Sequence, residues 1–101
     1  MRELTDGTFG AGIAEGLHLV EFGARWCPPC RVVEPVLEEL DRELPGLVVS
    51  RVDVDASPAV ARDARIMSAP TLNLYRDGEL VAQSVGARPK SRLVTWLEPH
   101  L

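Results

Sequence analysis

The sequence predicts an α/β fold organised around one strand–helix–strand unit, and three consecutive segments carry that prediction. Leu17–Phe22 is a short and almost uninterrupted apolar run, which is typical of a strand covered on both faces in a parallel sheet. Beyond Pro29 the apolar residues recur at helical spacing, whereas Leu47–Val54 is rich in β-branched residues. Strand, helix and strand within about forty residues imply a parallel strand pair with a right-handed crossover.

Two shorter elements are predicted before this unit, and its own helix is the clearest in the chain. Arg2–Leu4 is predicted as an edge strand and Thr8–Ala14 as a short helix, weakened by two glycines. The helix after Pro29 contains Pro35 and ends at Pro45-Gly46. Its apolar stripe comprises Val33, Val36, Leu37, Leu40 and Leu44.

The second half of the chain predicts a helix, a hairpin and a final helix. Ser57 as N-cap and Pro58 at the first helical position predict a helix to about Arg65. Asp77-Gly78 is a strong turn signal joining the strands Thr71–Arg76 and Glu79–Val85 as antiparallel neighbours. Pro89 opens a last helix that stops near Pro99.

Length and composition narrow the class of protein. With 101 residues, of which 46% are hydrophobic and 26% charged, we expect a single domain over residues 1–101. No apolar run approaches the roughly 18 residues of a membrane helix, and the N-terminus lacks the apolar core of a signal peptide. A net charge of −4 argues against nucleic-acid binding. We therefore expect a cytoplasmic protein with no nucleic-acid or membrane partner.

The candidate reactive groups are Cys27 and Cys30, the only cysteines, at the predicted junction of strand and helix. Two cysteines are too few for a disulfide-stapled secreted scaffold, and so short a loop adds little stability through chain entropy. Redox chemistry and half of a metal site remain as interpretations. The metal alternative is a dimer that bridges zinc or an iron–sulfur cluster through two such motifs.

The chain resembles the thioredoxin family over nearly its whole length. The motifs that carry the resemblance are Trp26-Cys27-Pro28-Pro29-Cys30, the preceding Val20-Glu21-Phe22, Pro35, Val52-Asp53-Val54-Asp55, Ala69-Pro70-Thr71-Leu72, Asp77-Gly78 and Val85-Gly86-Ala87. The resemblance implies a thioredoxin fold, with a central mixed sheet of four to five strands flanked by helices on both faces. It also implies a cis peptide bond before Pro70, which faces the cysteine pair.

The resemblance implies a catalytic role for four residues. Cys27 is the expected nucleophile, because a helix N-terminus favours the thiolate, and we expect it to be the more exposed cysteine. Cys30 then resolves the mixed disulfide. Glu21 matches a buried acid, which in the family is an aspartate, and accepts the proton of Cys30. Arg51 stands where the family often has a lysine near that acid.

The remaining candidate residues concern substrate binding. Trp26 and Pro28 lie in the cysteine motif; Ala69, Pro70, Gly86 and Ala87 are expected to form a backbone edge for an extended substrate segment. Two departures from the family stand out. Gly23 occupies the place of a second tryptophan, and Pro28 replaces the glycine of the common W-C-G-P-C form.

These observations predict a monomeric protein-disulfide reductase that uses the Cys27–Cys30 pair as its redox centre, with no cofactor and no metal. Its expected partners are disulfide-containing proteins and, as electron donor, a flavoenzyme resembling thioredoxin reductase or low-molecular-weight thiols. Two alternatives stay open beside the metal site. One is a specialised oxidase or isomerase, and the other is a binding or chaperone module that uses the fold without redox turnover.

Overall fold

The computed structural model describes residues 1–101 and places a five-stranded mixed sheet at the centre of the chain. Four helices accompany the sheet, and a turn of 3₁₀ helix at Glu98–His100 follows the last of them. The elements in chain order are β1 (Arg2–Glu3), α1 (Phe9–Gly12), β2 (Leu17–Gly23), α2 (Pro28–Glu43), β3 (Leu47–Asp53), α3 (Pro58–Asp63), β4 (Thr71–Arg76), β5 (Glu79–Val85) and α4 (Lys90–Leu97).

The sheet has the strand order β1-β3-β2-β4-β5. β1 and β2 both run parallel to β3, whereas β4 is antiparallel to β2 and β5 is antiparallel to β4. β2 is the central strand, and all seven of its residues are buried, as its near-continuous apolarity predicts. The α/β thioredoxin fold expected from the sequence is therefore confirmed.

The helices cover both faces of the sheet and enclose two separate cores. On one face, α2 and α4 pack on β2, β3 and β4 through a cluster that includes Leu37, Leu40 and Leu93. On the other face, α1 and α3 lie over a smaller cluster centred on Phe22 and Tyr75. Because alternate strand residues point to opposite faces, Glu21 and Gly23 lie on the α2 side of β2 and Phe22 on the other.

The short helices differ in detail from their predictions. The helix expected over Thr8–Ala14 is confined to Phe9–Gly12, in line with the low helix propensity of its two glycines. Ser57 is the N-cap of α3, yet its side chain makes no capping hydrogen bond. Asp6 supplies that bond from 54 residues away, accepting the Val60 N–H at 2.9 Å. α3 ends at Asp63, two residues early, before Arg65 adopts a positive φ of 58°.

None of these helices combines the length and the apolar character that a membrane span requires.

Candidate active site

The two cysteines lie where β2 delivers the chain to the N-terminus of α2. Cys27 is the N-cap of that helix and is joined to Cys30 by a disulfide, with the two Cα atoms 5.3 Å apart. The Cys30 N–H donates to Cys27 Sγ at 3.2 Å. Pro28 and Pro29 occupy the first two helical positions and have no N–H, so the Cys30 amide is the first of α2 that can donate to this sulfur.

Both cysteines are buried in the disulfide form. Cys27 is expected to be the more exposed cysteine, and the difference in this form is marginal, with exposed fractions of 1% for Cys27 and 0% for Cys30. The cause is local packing: the pair forms an apolar cluster with Ala24, against which Val54 and Ala69 also pack. The exposed neighbours at the surface are Trp26, Pro28 and Pro29. A partner therefore reaches the disulfide through this rim.

Glu21 lies beneath the cysteines on β2 and is completely buried. Neither of its carboxyl oxygens has a hydrogen-bond partner in the chain. Burial raises the pKa of Glu21 to about 8, the neighbouring Glu34 carboxyl also raises it, and the Arg51 guanidinium acts in the opposite direction. The Arg51 Nε is 4.0 Å from Glu21 Oε1, so the predicted proximity of these two residues is present. This carboxyl can hold a proton near neutral pH.

Glu34 belongs to the same cluster, and sequence reasoning missed it. Its Oε2 lies 3.7 Å from the Arg51 Nη2, so the guanidinium is close to two carboxyl groups. The signal was available, because Glu34 follows Cys30 by four residues on α2 and must share its helix face. A surface pocket of about 290 Å³ is lined by Ala24, Arg25, Arg31, Glu34 and Arg51. This pocket connects the charged cluster to solvent.

Trp26 stands at the rim with 66% of its surface exposed. Its Nε1–H donates to Asp55 Oδ2 at 2.8 Å, which fixes the ring beside the motif. Asp55 is a second residue that sequence reasoning did not single out for the site. A small pocket of about 150 Å³ adjoins the ring and includes Met67, 94% exposed, and Ala69. The rim is therefore largely apolar, and large hydrophobic side chains are exposed on it.

The predicted backbone edge lies beside the same rim. The Ala69-Pro70 bond is cis, as the resemblance implied. Pro70 is buried, and its carbonyl oxygen accepts the Gly86 N–H at 2.8 Å, while Gly86 has a φ of 89° that favours glycine. Ala87 is exposed next to it. Neither the N–H nor the C=O of Ala69 takes part in a hydrogen bond within the chain, so both remain free.

A dithiol pair at a helix N-terminus, with a buried acid beneath it and an apolar rim around it, defines a thiol–disulfide oxidoreductase. Comparison with known proteins supports the same class. The family model described as Thioredoxin matches residues 1–99. The thioredoxins of Chlamydia trachomatis and Chlamydia muridarum are 44% and 46% identical over 92 residues, covering 91% of this chain and 90% of each relative. The thioredoxin of Staphylococcus saprophyticus is 42% identical over 100 residues, covering 98% of this chain and 96% of its own.

The chain therefore belongs to the thioredoxin family and is a protein-disulfide reductase that acts by dithiol–disulfide exchange.

Proposed function

We propose that Cys27 is the attacking thiol, Cys30 the resolving thiol and Glu21 the proton acceptor of this exchange. The observation that carries the proposal is the position of Cys27 as N-cap of α2, with its Sγ accepting the Cys30 N–H. That N–H and the positive end of the helix stabilise a thiolate at Cys27 in the reduced protein.

The reaction runs in two steps. The Cys27 thiolate attacks one sulfur of the target disulfide, which forms a mixed disulfide and releases the first target thiolate. Glu21 then takes the proton of Cys30, and the resulting thiolate attacks the Cys27 sulfur. The Cys27–Cys30 disulfide forms, and the second target thiolate leaves. The target has gained two electrons and the chain has lost two.

The burial of Glu21 suits the second step. A carboxylate with a pKa near that of an ordinary exposed acid would be too weak a base to take a thiol proton efficiently, whereas burial raises the pKa of Glu21 to about 8. Arg51, which is close to Glu21, and Glu34 both line the surface pocket described above, which opens to solvent. They mark the route by which the proton leaves Glu21 after each turnover.

Substrates dock on the rim. The exposed ring of Trp26 and the neighbouring Met67 offer apolar contact, and the free N–H and C=O of Ala69 can pair with an extended substrate segment. Pro70, Gly86 and Ala87 hold the backbone beside Ala69 in place, and Pro28 borders the cysteines. The regenerating electron donor is a flavoenzyme resembling thioredoxin reductase, and we assign the monomeric chain to the cytoplasm, where thiols are kept reduced.

Trapping of the mixed disulfide tests these roles. Cys30→Ser should accumulate a covalent complex with insulin that dithiothreitol releases, because the second step is blocked. Cys27→Ser should accumulate none, and Cys27→Ser/Cys30→Ser serves as the control for non-covalent association. A complex formed through Cys30 in the Cys27→Ser variant would overturn the assignment. Substrate binding retained by the double variant, without covalent capture by either single one, would favour the binding module.

A further inference from the structure

The space beside Gly23 is filled by the carboxyl group of Glu21. A Cβ atom built on Gly23 would lie 2.5 Å from Glu21 Oε2 and 3.2 Å from its Cδ. It would also lie 3.3 Å from Cys30 Sγ. Real Cβ atoms essentially never approach another heavy atom within 3.0 Å. A side chain at this position and the carboxyl group in its present place therefore exclude each other.

The backbone does not require a glycine at this position. Gly23 is the last residue of β2 and pairs in register with Asp53. Its φ angle is not positive, unlike those of Gly16, Gly46, Gly78 and Gly86. Its carbonyl oxygen accepts the Val54 N–H at 2.9 Å, as an ordinary strand residue would. What the position demands is empty volume rather than a special conformation.

The carboxyl group lies close to the resolving cysteine. Glu21 Oε2 lies 2.5 Å and Cys30 Sγ 3.3 Å from the position that a Cβ atom of residue 23 would occupy. The two atoms are therefore at most about 6 Å apart, a distance that one water molecule can bridge. The other charged groups facing this carboxyl are Arg51 from β3, whose Nε is 4.0 Å away, and Glu34 from α2, whose own carboxyl lies 3.7 Å from Arg51. The nearest heavy atoms to the empty Cβ position of Gly23 belong to this acid and to this sulfur.

We propose that Gly23 is a positioning residue for the second step: its missing side chain gives the glutamate at position 21 the room to reach Cys30. The proposal rests on the proposed role of Glu21 as proton acceptor. It links the glutamate at position 21, which is one methylene longer than the family's aspartate, to the glycine at position 23, which lacks the side chain that the longer acid would meet. Glu21 and Gly23 therefore form a matched pair.

Stopped-flow reduction of a symmetrical aromatic disulfide by the reduced protein tests this pair. The first released chromophoric thiol reports attack by Cys27, and the second reports attack by Cys30. Gly23→Ala should slow the second phase at least about tenfold near neutral pH and move the midpoint of its pH profile, because the new methyl group displaces the carboxyl. The first phase should stay within about twofold of the parent rate.

Two further variants separate positioning from damage to the fold. Glu21→Asp combined with Gly23→Ala should resolve faster than Gly23→Ala alone, since the shorter acid leaves room for the methyl group. Gly12→Ala is the matched control, because its Cβ would meet the flexible Leu4 side chain at 2.6 Å, away from the cysteines. It should alter neither the rate nor the pH midpoint of the second phase.

The outcomes distinguish this inference from the role of Glu21 itself. If Glu21→Gln slows the second phase but Gly23→Ala changes neither its rate nor its pH midpoint, the positioning role is wrong and the proton-acceptor role stands. If Glu21→Gln has no effect on the second phase, both fall. If Gly23→Ala does not fold, the double variant Glu21→Asp/Gly23→Ala decides. A double variant that also fails to fold, or that resolves much more slowly than Glu21→Asp alone, contradicts the pairing.

Discussion

Trp26 shows how a residue of the active-site motif can serve recognition rather than chemistry. Its ring is held by the hydrogen bond to Asp55, while 66% of its surface remains exposed. A residue that orients no reacting atom should affect binding of a large partner more than reaction with a small one. Exposed aromatic anchors contribute much of the binding energy at protein interfaces.

We therefore expect Trp26→Ala to raise the KM for a protein disulfide about 5- to 30-fold, the equivalent of about 1–2 kcal/mol of lost contact. The rate with a small aromatic disulfide should change little. Steady-state kinetics with insulin and with the small substrate give the comparison. Leu80→Ala, which removes a half-exposed side chain from β5, is the control. Equal losses for both substrates would show that Trp26 acts on the cysteines instead.

At the scale of the elements, the N-terminus of α2 sets the balance between dithiol and disulfide. Pro28 and Pro29 stiffen the loop between the cysteines and leave the Cys30 N–H as the donor to Cys27 Sγ. A stiff loop disfavours the reduced state relative to the disulfide, because it limits the conformational freedom that the dithiol would gain. A small number of N–H donors disfavours it as well, because the Cys27 thiolate is then less stabilised. Both effects lower the reduction potential.

Pro28→Gly should accordingly raise the reduction potential by about 10 to 20 mV, the value that corresponds to 0.4–1 kcal/mol of loop flexibility. Equilibration with glutathione followed by thiol trapping measures it. Pro58→Gly is a matched control, since Pro58 is also the first residue of a helix but lies at α3. A lower potential in Pro28→Gly would contradict this account of the motif.

Elements with strong local signals could be predicted from the sequence almost to the residue. β4 and β5 have the predicted bounds, because Asp77-Gly78 fixes the turn and hence the register of the hairpin. α3 shows the limit of local reasoning, since its cap comes from Asp6, which only the folded chain brings close.

The features of the candidate site likewise fall into those that the sequence predicts and those that only the folded chain reveals. Cys27 and Cys30 are evident from their spacing, whereas the contact between Glu21 and the empty volume at Gly23 depends on how β2 meets α2. No local pattern reports the volume that a missing side chain leaves. The burial of both cysteines likewise arises from Val54, which follows β3, and Ala69, which precedes β4.

At the scale of the whole molecule, the buried acid makes folding stability depend on pH. The pKa of Glu21 is about 8 in the folded protein and 4.5 for an ordinary glutamate. Between these values the folded state keeps a proton that the unfolded state has lost, so stability falls as the pH rises. The contribution of the protonated Glu21 to the free energy of unfolding is complete below about pH 4.5 and is lost as the pH rises through 8.

Glu21→Gln, which mimics the protonated acid, should thus gain stability relative to the parent as the pH rises. We expect the difference in unfolding free energy to grow by an amount on the order of 3 kcal/mol between pH 5 and pH 9. Urea denaturation of the oxidised proteins across this range gives the profile. Glu79→Gln, at an exposed position on β5, should leave the profile unchanged. Parallel profiles for Glu21→Gln and the parent would show that the buried carboxyl does not titrate in this range.

The most direct test of the central claim, that this chain is a disulfide reductase working through Cys27 and Cys30, is the redox equilibrium of that pair. The protein is equilibrated in glutathione or dithiothreitol buffers, and the disulfide is followed by tryptophan fluorescence and thiol trapping. We predict one two-electron transition with a potential below about −220 mV, the upper end of the cytosolic glutathione poise. A potential above about −180 mV, where oxidising and isomerising dithiol proteins lie, or no closure of the disulfide at all, would contradict it.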